Sequence, residues 1–104
     1  MILTTTDQIV GKKVIETLGM VKGNTIRARA IGKDILAGFK QLIGGEIEEY
    51  TKLMGEAREQ ALDRMTAEAE ALGANAVIEV RFSTSEVMNA AAEILAYGTA
   101  VVIE

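Results

Sequence analysis

Cysteine, histidine, proline and tryptophan are all missing from this chain. The first two absences exclude the most. Without cysteine there are no disulfides and no thiolate nucleophiles, without histidine there is no imidazole acid/base chemistry, and together they remove the usual zinc ligands. Aromatic residues are scarce, two Phe and two Tyr among 104 residues. A domain of this size buries roughly 65% of the surface its unfolded chain exposes, so the core of one copy is modest and association with identical copies is expected. Long apolar runs are lacking as well. The nearly apolar stretch from Ile94 to Ile103 includes Thr99 and falls well short of the roughly 18 residues a membrane-spanning helix needs. At the other end, Thr alternates with aliphatics and Lys12 and Lys13 follow them, the reverse of a charged leader before an apolar segment. The expectation is a cytoplasmic protein that does not engage a membrane.

What is present has the balance of one soluble globular domain over residues 1–104, with 49% apolar and 25% charged residues. The net charge of −4 argues against nucleic acid as a partner, because neutralising phosphates requires a basic surface. The charge is uneven. Residues 1–40 carry seven basic groups (Lys12, Lys13, Lys22, Arg27, Arg29, Lys33, Lys40) against Asp7, Glu16 and Asp34, a net of +4 that leaves −8 for the remainder. Scattered lysines on strands and acids along a helix account for this plainly. The sharper reading is that surfaces of opposite sign meet between subunits.

Along the chain, Met1 to Thr5 reads as a short strand and Thr6 to Gly11 as the connection after it. Val14 to Val21 is extended and largely apolar on both faces. Gly23 and Asn24 offer turn chemistry before a second extended stretch, Thr25 to Ala30, so this region is either a hairpin or one long strand with a bulge. The spacing of Ile35, Leu36, Phe39, Leu42 and Ile43 predicts a short amphipathic helix over Lys33 to Ile43, stopped by Gly44 and Gly45. A second helix is expected from about Glu48 to Leu72, with Tyr50, Met54, Ala57, Ala61, Met65, Glu68 or Ala69, and Leu72 recurring every three or four residues, and Gly73 ending it. From Asn75 the period changes to two: Ala76, Ile78, Val80 and Phe82 against Val77, Glu79, Arg81 and Ser83. Ser83 to Asn89 reads as a loop, and Ala91 to Ile103 as a last strand with no polar face. Such a strand wants cover on both sides, whereas two helices cover one face of an antiparallel sheet.

Candidate chemistry is thin. Asp34, Glu46, Glu48 and Glu49 are the one set of hard oxygen donors that would suit a divalent metal, with help from a neighbouring subunit; acids at a helix start are more simply explained by its positive dipole end. A soft heavy metal finds only the thioethers of Met20, Met54, Met65 and Met88, and methionine on an apolar stripe is ordinarily core. Phe39, Tyr50, Phe82 and Tyr97 are candidates to stack on a planar ligand, with core packing the simpler role for the two Phe. Glu79, Arg81 and Glu93 suggest a cross-strand ion pair. Gly44 and Gly45 lack the lysine and spacing of a phosphate loop, and no pair of acids or nucleophile with a base stands out. The sequence predicts no catalytic residues and no enzyme, and leaves the small ligand unknown.

Taken in order, "ILTTT", "VIETLGMVKG", "IGGE", "ALGANAV" and "YGTAVVI" span essentially the whole chain. In that combination the sequence resembles the YbjQ-like family, small bacterial and archaeal proteins labelled heavy-metal-binding. The resemblance implies a dodecin-like β/α subunit assembled in a ring, a homopentamer in known members, with no established activity. The expected fold is therefore α+β, an antiparallel sheet packed on two helices. Function is expected to be that of a homo-oligomeric binding or assembly module, or alternatively of a divalent or heavy-metal binder using carboxylates.

The long helix yields a direct test. Ala61→Glu places an unpaired charge on the inferred packing stripe, and desolvating it there costs several kcal/mol. Thermal unfolding and light scattering together are expected to show loss of stability or of assembly; unchanged melting and unchanged mass mean the face is wrongly assigned.

Overall fold

The computed structural model describes residues 1–28, 48–88 and 91–104. Four strands and one helix follow in the order β1 (Ile2–Leu3), β2 (Val14–Ala28), α1 (Glu48–Ala71), β3 (Ala76–Met88) and β4 (Ala91–Ile103). The sheet order is β1-β3-β4-β2. With strands of 13 to 15 residues rising about 3.3 Å each, the molecule is long and thin, 54 × 23 × 17 Å. The α+β class holds. The sheet is mixed rather than wholly antiparallel, because β1 runs parallel to β3: β2 and α1 intervene between the two, and a crossover of that length brings the chain back in the same direction. The expected helix at Lys33 to Ile43 lies outside the described residues.

The stretch from Val14 to Ala28 is one bulged strand. Its pairing with β4 slips between Val14 and Glu16 and again between Thr17 and Gly19, so Ile15 and Leu18 are the extra residues. No turn forms at Gly23 and Asn24, which pair with Ala96 and Leu95 in mid-strand. Gly23 serves a different purpose. A Cβ there would collide with the backbone carbonyl of Ala61 and the backbone N of Met65, so the missing side chain is what lets α1 lie directly on β2.

Helix α1 meets the sheet along Ala57, Ala61, Met65 and Ala69, all fully buried and spaced four apart, so they form one line along the helix. Beneath them lie Val21, Ile94, Ala96, Ala100, Val77 and Val80. Polar contacts fix the position along β2: Thr25 Oγ1 donates to the Ala57 carbonyl (3.1 Å), Arg27 to Gln60 Oε1 (2.6 Å) and Arg64 to the Asn24 carbonyl (2.6 Å). The helix ends as expected. Gly73 adopts φ 88°, its N–H bonds Glu70 O (2.9 Å) and that of Ala74 bonds Ala69 O (3.1 Å), the pair of bonds that defines a Schellman cap. Leu72, expected on the packing stripe, sits within this cap, just past the last helical residue, and is 49% exposed.

Strand β3 changes face partway. Its pairing with β4 slips between Ile78 and Arg81, and Glu79 takes φ 54°. This bulge inverts the expected alternation: Val77 and Val80 both join the core under α1, while Ala76 and Ile78 pack on the opposite side with Val101, Ile103 and Ile9. Phe82 ends up 45% exposed instead of in the core, because α1 lies over β2 and β4 and barely reaches β3. Residues 83–88, expected as a loop, continue β3 and pair with Ala91 to Leu95, which satisfies their backbone groups as no loop would. At the other end only Ile2 and Leu3 of the expected first strand are ladder residues, though Thr4 and Thr6 still bond Val77, Val80 and Glu79.

Gly23→Ala is expected to destabilise the chain by about 3 kcal/mol, since backbone atoms of a helix cannot yield as a side chain does. Urea unfolding followed by helical circular dichroism measures it; a midpoint equal to that of the parent chain means α1 stands further from β2.

Candidate binding surface

Paired residues of neighbouring strands share a face, so the registers define what the sheet presents on the side away from α1. Strand β4 is flanked by β2 and β3, and four rows cross it: Met20, Thr99, Ile78; Lys22, Tyr97, Arg81; Asn24, Leu95, Ser83; and Ile26, Glu93, Ser85. Neighbours in a row sit about 4.8 Å apart in the pairing direction. At one end of this face Ile9 packs against Ala76, Val101 and Ile103. Val101 is fully buried there. Further along, Met20 is 71% and Ile26 59% exposed, and Leu95, Tyr97 and Thr99 are half-buried. Met20 is thus not core, in contrast to Met65.

Electrostatically the face is mixed. Lys22 and Arg81 pair with Tyr97 from either side, the one row of the four that carries two cations. Arg81 Nη1 is held by the carbonyls of Thr5 (2.8 Å) and Val80 (2.9 Å), so the expected ion pair is replaced by backbone contacts. Glu93 accepts instead from Asn24 Nδ2 (3.2 Å).

Of the expected metal ligands, Asp34 and Glu46 lie outside the described residues, as does Phe39, and Glu48 and Glu49 occupy the first two positions of α1. Among the described residues no three Asp or Glu carboxylates are grouped to hold an ion. Met65 lies on the buried side of α1 and Met20 on the open face of the sheet. Nor is any helix of the described residues long and apolar enough to cross a membrane.

Sequence reasoning missed the second open feature, the free edge of β3. The N-terminal segment follows this edge as far as Val80, whose N–H donates to Thr4 O (2.9 Å). From Arg81 to Val87 every residue is exposed and, among the described residues, only β4 pairs with the strand. Phe82, Thr84 and Val87 are good strand formers; the signal was there, outweighed by the serines between them.

Comparison with known proteins gives a uniform result. A family model described as "Putative heavy-metal-binding" matches residues 1–104. A UPF0145 protein of Dehalococcoides mccartyi is 62% identical over all of both chains, one of Halorubrum lacusprofundi 61% identical over 95% of each, and one of Methanosarcina acetivorans 57% identical over 99% of this chain and 97% of its own. Among solved structures, a protein of unknown function of the DUF74 family from Pediococcus pentosaceus superposes with a TM-score of 0.68 at 16% identity, covering 100% of this chain and 98% of that one. That likeness bears on the fold alone.

Proposed function

We propose, for a chain that belongs to the YbjQ-like family, that it is a self-associating binding module rather than an enzyme. Identical copies supply the cover that one copy lacks. The observation that carries this is the open face of the sheet: Met20 and Ile26 lie largely in water, beside a half-buried Leu95 and Tyr97, although a single described helix has already spent its packing stripe on the other side. Contiguous apolar surface of this kind marks an interaction site, and a second copy is always present at the concentration of the first. By resemblance the assembly is a ring of five. The Lys22, Tyr97 and Arg81 row is where a small ligand of negative charge would be met.

The family description favours a second reading, metal binding. The donor set does not fit a soft heavy metal, since cysteine and histidine are absent and such ions prefer thiolate and imidazole. Carboxylates suit a harder divalent cation, and Asp34, Glu46, Glu48 and Glu49 are the residues that would provide them.

Native mass spectrometry at micromolar concentration is expected to report a closed assembly of several copies, together with any small molecule retained; a monomer overturns the module reading. Calorimetric titration with manganese, calcium and zinc separates the second reading from it. Binding tighter than millimolar that disappears when Asp34, Glu46, Glu48 and Glu49 are all replaced by alanine supports a carboxylate site, and no binding, or binding indifferent to those replacements, removes it.

A further inference from the structure

We propose that the seam between β2 and α1 binds a small dianionic oxyanion of the phosphate class, held by Arg27 and Arg64 with Gln60 between them. The site lies on the helix side of the sheet, away from the Tyr97 row, and its test does not depend on whether copies associate.

Arg27 shares the helix-facing side of β2 with Thr25, since both side chains reach α1. It is half-buried, and its Nε is buried without a hydrogen-bond partner. A guanidinium does not lose its charge in a protein, and enclosing a charge is costly unless an opposite charge or a full set of hydrogen bonds compensates it. Among the described residues Arg27 meets only a neutral amide, Gln60 Oε1 (2.6 Å).

A second guanidinium comes to the same place. The Ala57 carbonyl sits at Thr25 and that of Ala61 at Gly23, so Gln60 lies level with residues 23–25 and Arg27 reaches back along β2 to meet it. Arg64 follows Gln60 by one turn of α1, roughly 6 Å away at Cβ, and donates to the Asn24 carbonyl (2.6 Å). The two heads therefore converge on the same stretch of strand, yet neither takes part in an ion pair among the described residues. Glu56, one turn before Gln60, and Glu68, one turn after Arg64, are exposed and leave both arginines unpaired. Like charges brought together repel, and an anion between them reverses the sign. Gln60 Oε1 is taken by Arg27, so its Nε2 is left to donate outward as well. Two guanidinium forks and an amide suit a tetrahedral dianion better than a carboxylate, whose two oxygens satisfy a single fork. Arg64 is exposed, so the site opens to solvent.

Calorimetric titration of the intact chain with sodium phosphate, at fixed ionic strength so that screening is constant, is expected to show binding with a Kd of about 1 mM or tighter. Arg27→Gln and Arg64→Gln are each expected to weaken it by about 20-fold, the worth of a charge-assisted hydrogen bond, with the helical circular dichroism of the parent chain. Gln60→Glu supplies a carboxylate from within; it is expected to abolish phosphate binding and to raise the melting temperature in phosphate-free buffer, whereas a merely structural arginine clamp gives no phosphate binding to lose. Acetate is expected to bind about tenfold more weakly than phosphate. A parent chain that does not bind phosphate, binding that survives all three replacements, or acetate bound as tightly as phosphate overturns the proposal. So does binding lost on Lys22→Ala and kept in the arginine variants, which moves the anion to the open face of the sheet. If Arg27→Gln fails to fold, the exposed Arg64→Gln decides.

Discussion

The approach of α1 to β2 is the constraint on which the rest of this structure depends. A helix rich in alanine carries little apolar surface per residue, so it stabilises a sheet only by coming very near to it. Gly23 makes room, the line of Ala57, Ala61 and Ala69 fills it, and Ala96 and Ala100 present an equally low floor on β4. Met65 is the one long side chain fully buried on the helix side of this seam. Because the helix is committed to β2 and β4, the outer half of β3 and the far face of the sheet receive nothing from it.

Much of this was legible from the residues. The four-residue recurrence from Ala57 to Ala69 located the helix and its buried line, and the glycine after Leu72 located its end, because both rest on local physics. The alternative of a single bulged strand over 14–28 was also visible. What escaped was long-range. Gly23 looks like a turn residue unless one knows that a helix passes over it; the face change at Glu79 depends on a bulge opposite β4, for which sequence period offers no warning; and the serines of 83–85 read as a loop until the partner strand is in place. Of the candidate site, the acidic quartet was chosen for its chemistry alone, and the open face emerged only from strand register.

Family membership and physical chemistry constrain function from different sides. A description that speaks of heavy metal meets a chain that has neither thiolate nor imidazole to offer, while its relatives in bacteria and archaea align over nearly their full length. Among the described residues, the property that such a chain expresses in its own architecture is a sheet with much of one face left open. In the proposed assembly, whatever sits on the Tyr97 row would feel how the neighbouring copies are placed.

Asn75 carries a consequence for the lifetime of the fold. Its side-chain amide takes both backbone groups of Ile103, donating from Nδ2 to the carbonyl (2.9 Å) and accepting the N–H at Oδ1 (2.7 Å), so a side chain completes the last rung of β4. Hydrolysis of that amide to an acid, the ordinary ageing chemistry of asparagine, would exchange a donor for an oxygen facing a carbonyl oxygen. One atom would then turn an attraction into a repulsion, and the closing rung of the central strand would register the age of the molecule.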